Sequence, residues 1–270
     1  MSDLEHLQRT LLLVMDELDR VCRENEIKYS LTGGSMLGAV RHKGFIPWDD
    51  DMDIALTREN YEKLMLCADK FNSNVFLQNN TTDSNYFYGY AKLLLKGTET
   101  IEFGHEKTKY KKGIFIDIFP LDNVPVDKKL RNKQKKYNYF LQKILRQKMC
   151  ISDNPSWGIK ERIIFKLLRA VSIFFNGKML IKKLDSNMKM SELCDSQAVT
   201  NLCGMYGYER EMANKEWFSE YEDICFEDRV YLVIKNREAF LSKIYGDFMQ
   251  LPPVDKRRTH EFQRINFGKY

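Results

Sequence analysis

Asp51 and Asp53 stand two apart in the run Asp49-Asp50-Asp51-Met52-Asp53-Ile54, a short way after Gly33-Gly34-Ser35. In an extended strand, residues two apart leave the same face, so both carboxylates point one way while Met52 and Ile54 point the other. Paired carboxylates bind a hard divalent cation. Mg²⁺ takes one or two of them together with substrate phosphates, and Mn²⁺ shares its taste for oxygen. A Gly-Gly-Ser turn entering a helix offers backbone N–H groups and a positive helix end to phosphate oxygens, with Gly34 letting the backbone close in and Ser35 adding a hydroxyl. A third carboxylate, Asp117, lies inside the apolar run Ile114-Phe115-Ile116-Asp117-Ile118-Phe119. An unpaired charge there is costly, so it needs a metal or a proton as partner. Singly, each feature has a plain reading: a solvated acidic loop, a common turn, a hydrogen-bonded core Asp. Their order, strand, Gly-Ser, helix, Asp-x-Asp strand, then a later strand with Asp, makes the joint reading stronger than any of the plain ones taken singly.

The elements that must position these groups are legible in outline. Leu4, Leu7, Leu11, Leu12, Val14, Met15, Leu18 and Val21 fall at helical spacing and predict an opening amphipathic helix over 4–24. Ile27 to Leu31 reads as a strand, Thr32 to Ser35 as a break, Met36 to His42 as a short helix and Met52 to Leu56 as a second strand. Thr57 can cap a helix running to about Phe71. Val75 to Gln78, Tyr88 to Leu95, Thr98 to Phe103 and Ile114 to Phe119 read as strands, with a tight turn at Lys96-Gly97. Asp127 to Met190 reads as helical, broken at Asn154-Pro155 and Asn176-Gly177. A strand near Arg229 to Ile234, a helix from Arg237 to Tyr245 and a Pro252-Pro253 stop follow. The fold class is therefore α+β: a mixed sheet flanked by helices, with a helical annex. The expected division is 1–127 as catalytic core, 128–190 as annex, and 191–270 as an α/β part completing the core.

Charge is unevenly spread along the 270 residues. Lys128 to Lys183 holds 16 Lys or Arg against Asp153 and Glu161, whereas the whole chain carries only +5. One basic surface suits an anionic polymer or a membrane face, and the acidic remainder contains the carboxylate site. The N-terminal sequence has no basic and apolar signal segment, and the longest apolar stretch, Ile163 to Phe175, is short and interrupted by Lys166 and Arg169. A cytoplasmic protein is expected, working at the inner face of the membrane if the basic segment docks there. Six scattered cysteines without a CxxC pair read as reduced thiols.

Tyr29 to His42 (YSLTGGSMLGAVRH) and Gly44 to Ile54 (GFIPWDDDMDI) together resemble the LicD-type phosphocholine transferases, to which the fukutin proteins are also similar, and the resemblance implies the mixed sheet of the nucleotidyltransferase superfamily. The resemblance continues through Asp117-Ile118-Phe119-Pro120-Leu121-Asp122, Tyr245 to Met249, Leu251-Pro252-Pro253 and His260, and is weakest over 128–190. It implies transfer of phosphocholine from CDP-choline to a hydroxyl of a cell-surface glycan precursor of the teichoic acid or lipopolysaccharide type, with CMP leaving. It further implies Asp51 and Asp53 as ligands of Mg²⁺ or Mn²⁺, and Asp117 as third ligand and base for the acceptor hydroxyl. Ser35 and Gly34 would hold the diphosphate.

Arg41 and Lys92 are the cations available for the remaining phosphate charge, or else ordinary solvated residues. Trp48 can stack on a base or a quaternary ammonium, or pack in the core. Asp49 and Asp50 can orient the metal shell, pair with the choline head or cap the turn, and His42 and His260 are weaker candidates. Annex aromatics such as Tyr139, Phe140, Phe165 and Phe174 are expected to pack on the core, with the surrounding lysines facing lipid, acceptor or water. Other readings stay open: a CDP-glycerol or CDP-ribitol donor, a pyrophosphate-releasing nucleotidyltransferase, or a non-enzymatic polyanion-binding module. No nucleic-acid partner is expected.

Overall fold

A computed structural model describes residues 2–152, 158–257, 259 and 262–270; the Asn154-Pro155 break and His260 fall outside them. Helix α1 (Asp3–Glu24) opens with a capping box between Ser2 and Glu5 and buries Leu7, Leu11, Val14, Met15, Leu18 and Val21. That stripe recurs every three or four residues, and it packs under the central sheet as the sequence spacing required.

After β1 (Ser30–Leu31) come α2 (Gly33–His42), β2 (Asp53–Thr57), α3 (Arg58–Leu66), β3 (Val75–Gln78), β4 (Ala91–Leu95), β5 (Glu99–Glu102) and β6 (Phe115–Asn123). The sheet runs β1-β2-β6-β4-β3, with β2 and β6 parallel and the other pairs along that path antiparallel. Two short strands, β7 (Ala198–Thr200) and β8 (Ala213–Asn214), extend it beside β6. The mixed α+β architecture is as expected.

Three local readings shift. Helix α2 starts at Gly33, so the glycine pair is its first turn rather than a break before it. Extended Thr32 supplies the entry, and Gly33 holds φ +54, a conformation that glycine adopts without a side-chain clash. Helix α3 ends at Leu66, well before Phe71. The Lys96-Gly97 turn forms, but the strands it joins enter different sheets: β5 pairs with β11 (Phe262–Asn266), far away in sequence.

The helical segment folds as α4 (Lys128–Lys148), α5 (Ile159–Ser172) and α6 (Gly177–Met188). Helices α4 and α6 enclose a second apolar cluster, Leu141, Ile144, Leu145, Leu180, Ile181, Leu184 and Met188, joined by Leu202 and Tyr208. The expectation that the annex aromatics pack onto the core fails: Tyr139 is 65% exposed, Phe174 is 87% exposed, and Tyr137, Phe140, Ile163 and Ile164 are exposed too. Helix α5 buries only Ser172, because no element covers its outer face among the described residues. A buried bidentate pair, Arg58 Nε and Nη2 to Asp122 at 2.7 and 2.8 Å, ties α3 to β6. Arg58 Nη1 reaches Asp185 of α6 at 3.6 Å, which joins the annex to the sheet.

The last third adds α7 (Tyr208–Glu211), the hairpin β9 (Tyr221–Phe226) and β10 (Arg229–Ile234), and α8 (Arg237–Tyr245). The hairpin docks beside β1, where the Leu232 amide donates to the Tyr29 hydroxyl and the Ile234 amide to Ser30 Oγ.

Candidate active site

The parallel pairing of β2 with β6 sets Asp53 directly opposite Asp117, and the antiparallel pairing of β6 with β4 sets Asp117 opposite Lys92. Residues in register across a sheet share a face, so the three side chains form one row across the strands. Lys92 Nζ lies 3.3 Å from Asp117 Oδ1, yet that buried oxygen receives no hydrogen bond. Lys92 is only 5% exposed, and its ammonium sits 3.2 Å from the centre of the Phe115 ring. Asp51 enters from just before β2, and the carboxylate oxygens of Asp49, Asp50 and Asp51 lie within 4.8 Å of one another. A narrow cleft lined by Asp50, Asp51, Asp117 and Glu102 joins these groups, with Leu7, Leu11 and Phe115 as apolar wall.

Helix α2 points its first turn at the carboxylates. A Cβ added to Gly34 would stand 2.5 Å from Asp49 Oδ2, and one on Gly33 would stand 3.3 Å from Asp53 Oδ2. The glycines thus let a helix N-terminus, with its partial positive charge, approach the acidic cluster. Ser35 is buried, and its Oγ accepts the Asp53 amide at 2.8 Å. The hydroxyl therefore fixes the start of β2 and keeps its proton available to donate.

Crowded, desolvated carboxylates hold protons more tightly. Burial, reinforced by Asp51, Asp117 and Asp49, pushes the Asp53 carboxyl well above its ordinary range. Burial also raises Asp117, to about 6; Lys92 opposes the shift, while Glu102 and Asp51 add to it. A divalent cation held there would offset this excess. The ligand atoms on offer are all hard oxygens, those of Asp49, Asp50 and Asp51 converge, and buried Asp117 Oδ1 has the Lys92 ammonium beside it at 3.3 Å, so the residues fit Mg²⁺ or Mn²⁺.

The other candidates are placed differently. Arg41 Nη1 donates to the carbonyls of Phe248 at 2.7 Å and Gln250 at 3.3 Å, anchoring the segment after α8. Trp48 has the Arg257 guanidinium 4.4 Å over its ring and His42 edge-on at 6.4 Å. Burial and the neighbouring Arg41 lower the His42 pKa. Asp122 is committed to Arg58. Sequence reasoning missed Glu102, which reaches the site through the β5–β11 pairing. It also missed Tyr206 and Tyr245, whose hydroxyls meet at 2.8 Å. Burial raises both phenols, and the charges of Asp53 and Asp49 raise them further.

Residues 26–150 match the family model described as LicD/FKTN/FKRP, nucleotidyltransferase domain. That match contains the whole carboxylate row and the α2 turn. The lipopolysaccharide cholinephosphotransferase LicD of Haemophilus influenzae is 29% identical over 266 residues, 96% of each chain. The chain is similar to the LicD-type transferases. Shorter likenesses, 43% identity over 51 residues, link it to uncharacterized proteins of Rickettsia prowazekii and Rickettsia typhi, covering 19% of this chain and 19% and 16% of theirs. No helix among the described residues is long and apolar enough to cross a membrane.

Proposed function

We propose that the chain transfers phosphocholine from CDP-choline to a hydroxyl of a cell-surface glycan precursor, with Asp51, Asp53 and Asp117 as the metal-binding set. The observation that carries this reading is the register of Asp53 with Asp117, which gathers carboxylates from two strands beside a glycine-opened helix N-terminus. Bound there, Mg²⁺ or Mn²⁺ would neutralise charge on the transferring phosphoryl oxygens. The acceptor oxygen attacks the phosphorus bearing choline, the bond from that phosphorus to the CMP oxygen breaks, and Asp117 accepts the hydroxyl proton. The Gly34 amide and the Ser35 hydroxyl hold the diphosphate, while Lys92 keeps a positive charge beside Asp117. Asp49 and Asp50 support the metal-binding set from the preceding loop. Arg41 and Trp48 serve by fixing the C-terminal segment near this site, through Phe248 and Arg257.

The acceptor is proposed to arrive at a membrane surface. Helix α5 exposes Ile159, Ile163, Ile164, Leu167 and Val171 among Lys160, Lys166 and Arg169, a combination suited to anionic lipid. Between α4 and α5 lies a cavity of roughly 590 Å³ lined by Phe103, Tyr139, Lys143, Arg146, Ile164 and Leu168, whose Phe103 edge adjoins Glu102 of the cleft. The test is product analysis with CDP-choline, CDP-glycerol, CDP-ribitol and nucleoside triphosphates, each with Mg²⁺ and a glycan acceptor. CMP formed chiefly from CDP-choline is expected. Turnover of only an alditol donor, or release of pyrophosphate, would contradict the reading.

A further inference from the structure

The carboxylate row has an aromatic neighbour. One step along the strands from the pair Asp117–Lys92, and on the same face, Phe119 of β6 meets Tyr90, which immediately precedes β4. Their ring centroids are 4.7 Å apart. Two residues further back, Tyr88 lies 5.2 Å from Tyr90, and Tyr86 lies 5.2 Å from Tyr88. Tyr110 closes the group at 6.3 Å from Tyr88. Tyr88, Tyr90 and Phe119 are half-buried and keep part of their surface accessible, whereas Tyr86 is fully buried. The Tyr86 hydroxyl has no hydrogen-bond partner.

Charges of both signs act on these rings. Burial raises the Tyr88 and Tyr90 phenols, and the charges of Asp117 and Glu102 raise both further. Arg146 also reaches Tyr88 and opposes that effect. The neighbouring cation of the chain, Lys92, leans the other way: its Nζ is 3.2 Å from the Phe115 centroid and 6.0 Å from that of Tyr90. Trp48, for which the sequence offered stacking or core packing, already carries Arg257 on its face.

We infer that Tyr90, Tyr88 and Phe119 form the subsite for the quaternary ammonium of the transferred group. This rests on the phosphocholine reading. The distance is suitable: choline places its nitrogen two carbons beyond the phosphate ester oxygen, and same-face positions along a strand are about 7 Å apart. A trimethylammonium cannot donate a hydrogen bond, so ring faces and nearby carboxylates are the groups able to recognise it in preference to a neutral alcohol. The row then divides its work. Asp53 and Asp117 address the phosphoryl group, and the adjacent aromatic step reads what that group carries.

The test compares CDP-choline with the CDP ester of 3,3-dimethylbutanol, the neutral carbon isostere of choline, in the wild type and in Tyr90→Leu, Tyr88→Leu and Tyr90→Phe. The wild type should prefer the charged donor in kcat/KM by about tenfold or more. Tyr90→Leu should bring that preference to within about twofold, mostly through KM, and Tyr90→Phe should retain it. A folded Tyr90→Leu and a folded Tyr88→Leu that both keep the full preference overturn the inference. If the wild type releases CMP from neither donor, the phosphocholine reading itself fails. A titration with tetramethylammonium, followed on tyrosine ring resonances, then decides the subsite alone. Shifts at Tyr88 and Tyr90 sustain it, and their absence overturns it.

Discussion

Asp53 and Asp117 are 64 residues apart in the chain but stand opposite each other on parallel neighbouring strands, with Lys92 completing the row on the far side of Asp117. The pairing concentrates negative charge on a buried face, and only part of that charge is met by Lys92. Such a row is an electrostatic liability for folding and an asset for holding a cation.

Asp51→Asn and Asp53→Asn should each lower transfer by on the order of 10³-fold or more, since a ligand and its charge are lost at the transferring phosphoryl group. The metal-free proteins should melt at the same temperature as wild type or higher. A carboxyl whose folded pKa is raised costs stability once pH exceeds its unfolded value, and Asn removes that cost for Asp53. Turnover assays and metal-free melting curves at neutral pH check both parts.

Gly34→Ala should lose most activity while remaining folded. The added methyl would stand 2.5 Å from Asp49 Oδ2, so either the acidic loop or the start of α2 must move. A crippled rate with a far-UV circular dichroism spectrum like that of wild type is the expected combination.

Asp122 is expected to act structurally. Removing one partner of its buried pair with Arg58 strands the other charge, so Asp122→Asn and Arg58→Met should each destabilise by about 3–5 kcal/mol in urea titrations. Replacing both by apolar residues should cost much less than the sum of the two. Additivity would mean that the pair is not coupled.

Glu211 gives a pH dependence away from the metal-binding set. It is buried, with one hydrogen bond from the Tyr206 amide, and burial pushes its carboxyl up from 4.5 to about 7. The native state therefore binds a proton more tightly than the unfolded chain. Stability from this group is full below about pH 4.5, falls as pH rises through the window to 7, and is lost above it. Glu211→Gln should flatten that fall, and melting temperatures at pH 5 and pH 8 should differ less than in wild type.

Much of the site was readable because its parts obey local rules. The apolar run around Asp117 marked it as needing a partner, whereas the period-two argument for Asp51 and Asp53 assumed a strand that begins only at Asp53. The helix over Arg237 to Tyr245 and the strand over Arg229 to Ile234 emerged at their expected bounds. What escaped is what long-range pairing creates. Glu102 enters the cleft through the pairing of β5 with β11, and nothing near residue 102 announces it. Tyr86, Tyr88, Tyr90 and Lys92 do alternate in sequence, a signal that could have placed them on one face, but only the β4–β6 register sets that face beside Asp117. Trp48 looked available because its cover, Arg257, lies 209 residues later. The annex aromatics were expected inside, yet an apolar stripe such as that of α5 does not by itself say which surface it meets.

That stripe yields a prediction of its own. Reversing charge at Lys133, Lys135 and Lys136 should weaken binding to anionic vesicles by on the order of a hundredfold at low salt, and the difference should shrink as salt rises. Ile163→Ser with Leu167→Ser should weaken it in a salt-independent way, because these exposed side chains act by apolar insertion. Co-sedimentation with phosphatidylglycerol vesicles separates the two contributions. Unchanged binding in both variants would remove α5 and the basic face as a membrane contact.

The central claim is that Asp117 works on the reaction rather than on the fold, and Asp117→Asn tests it most directly. With saturating CDP-choline, Mg²⁺ and acceptor, the account predicts CMP release reduced by on the order of 10³-fold, while the donor dissociation constant, measured by calorimetry, changes by less than about fivefold. A variant that turns over near the wild-type rate and differs only in melting temperature would contradict the account and make Asp117 a structural carboxylate.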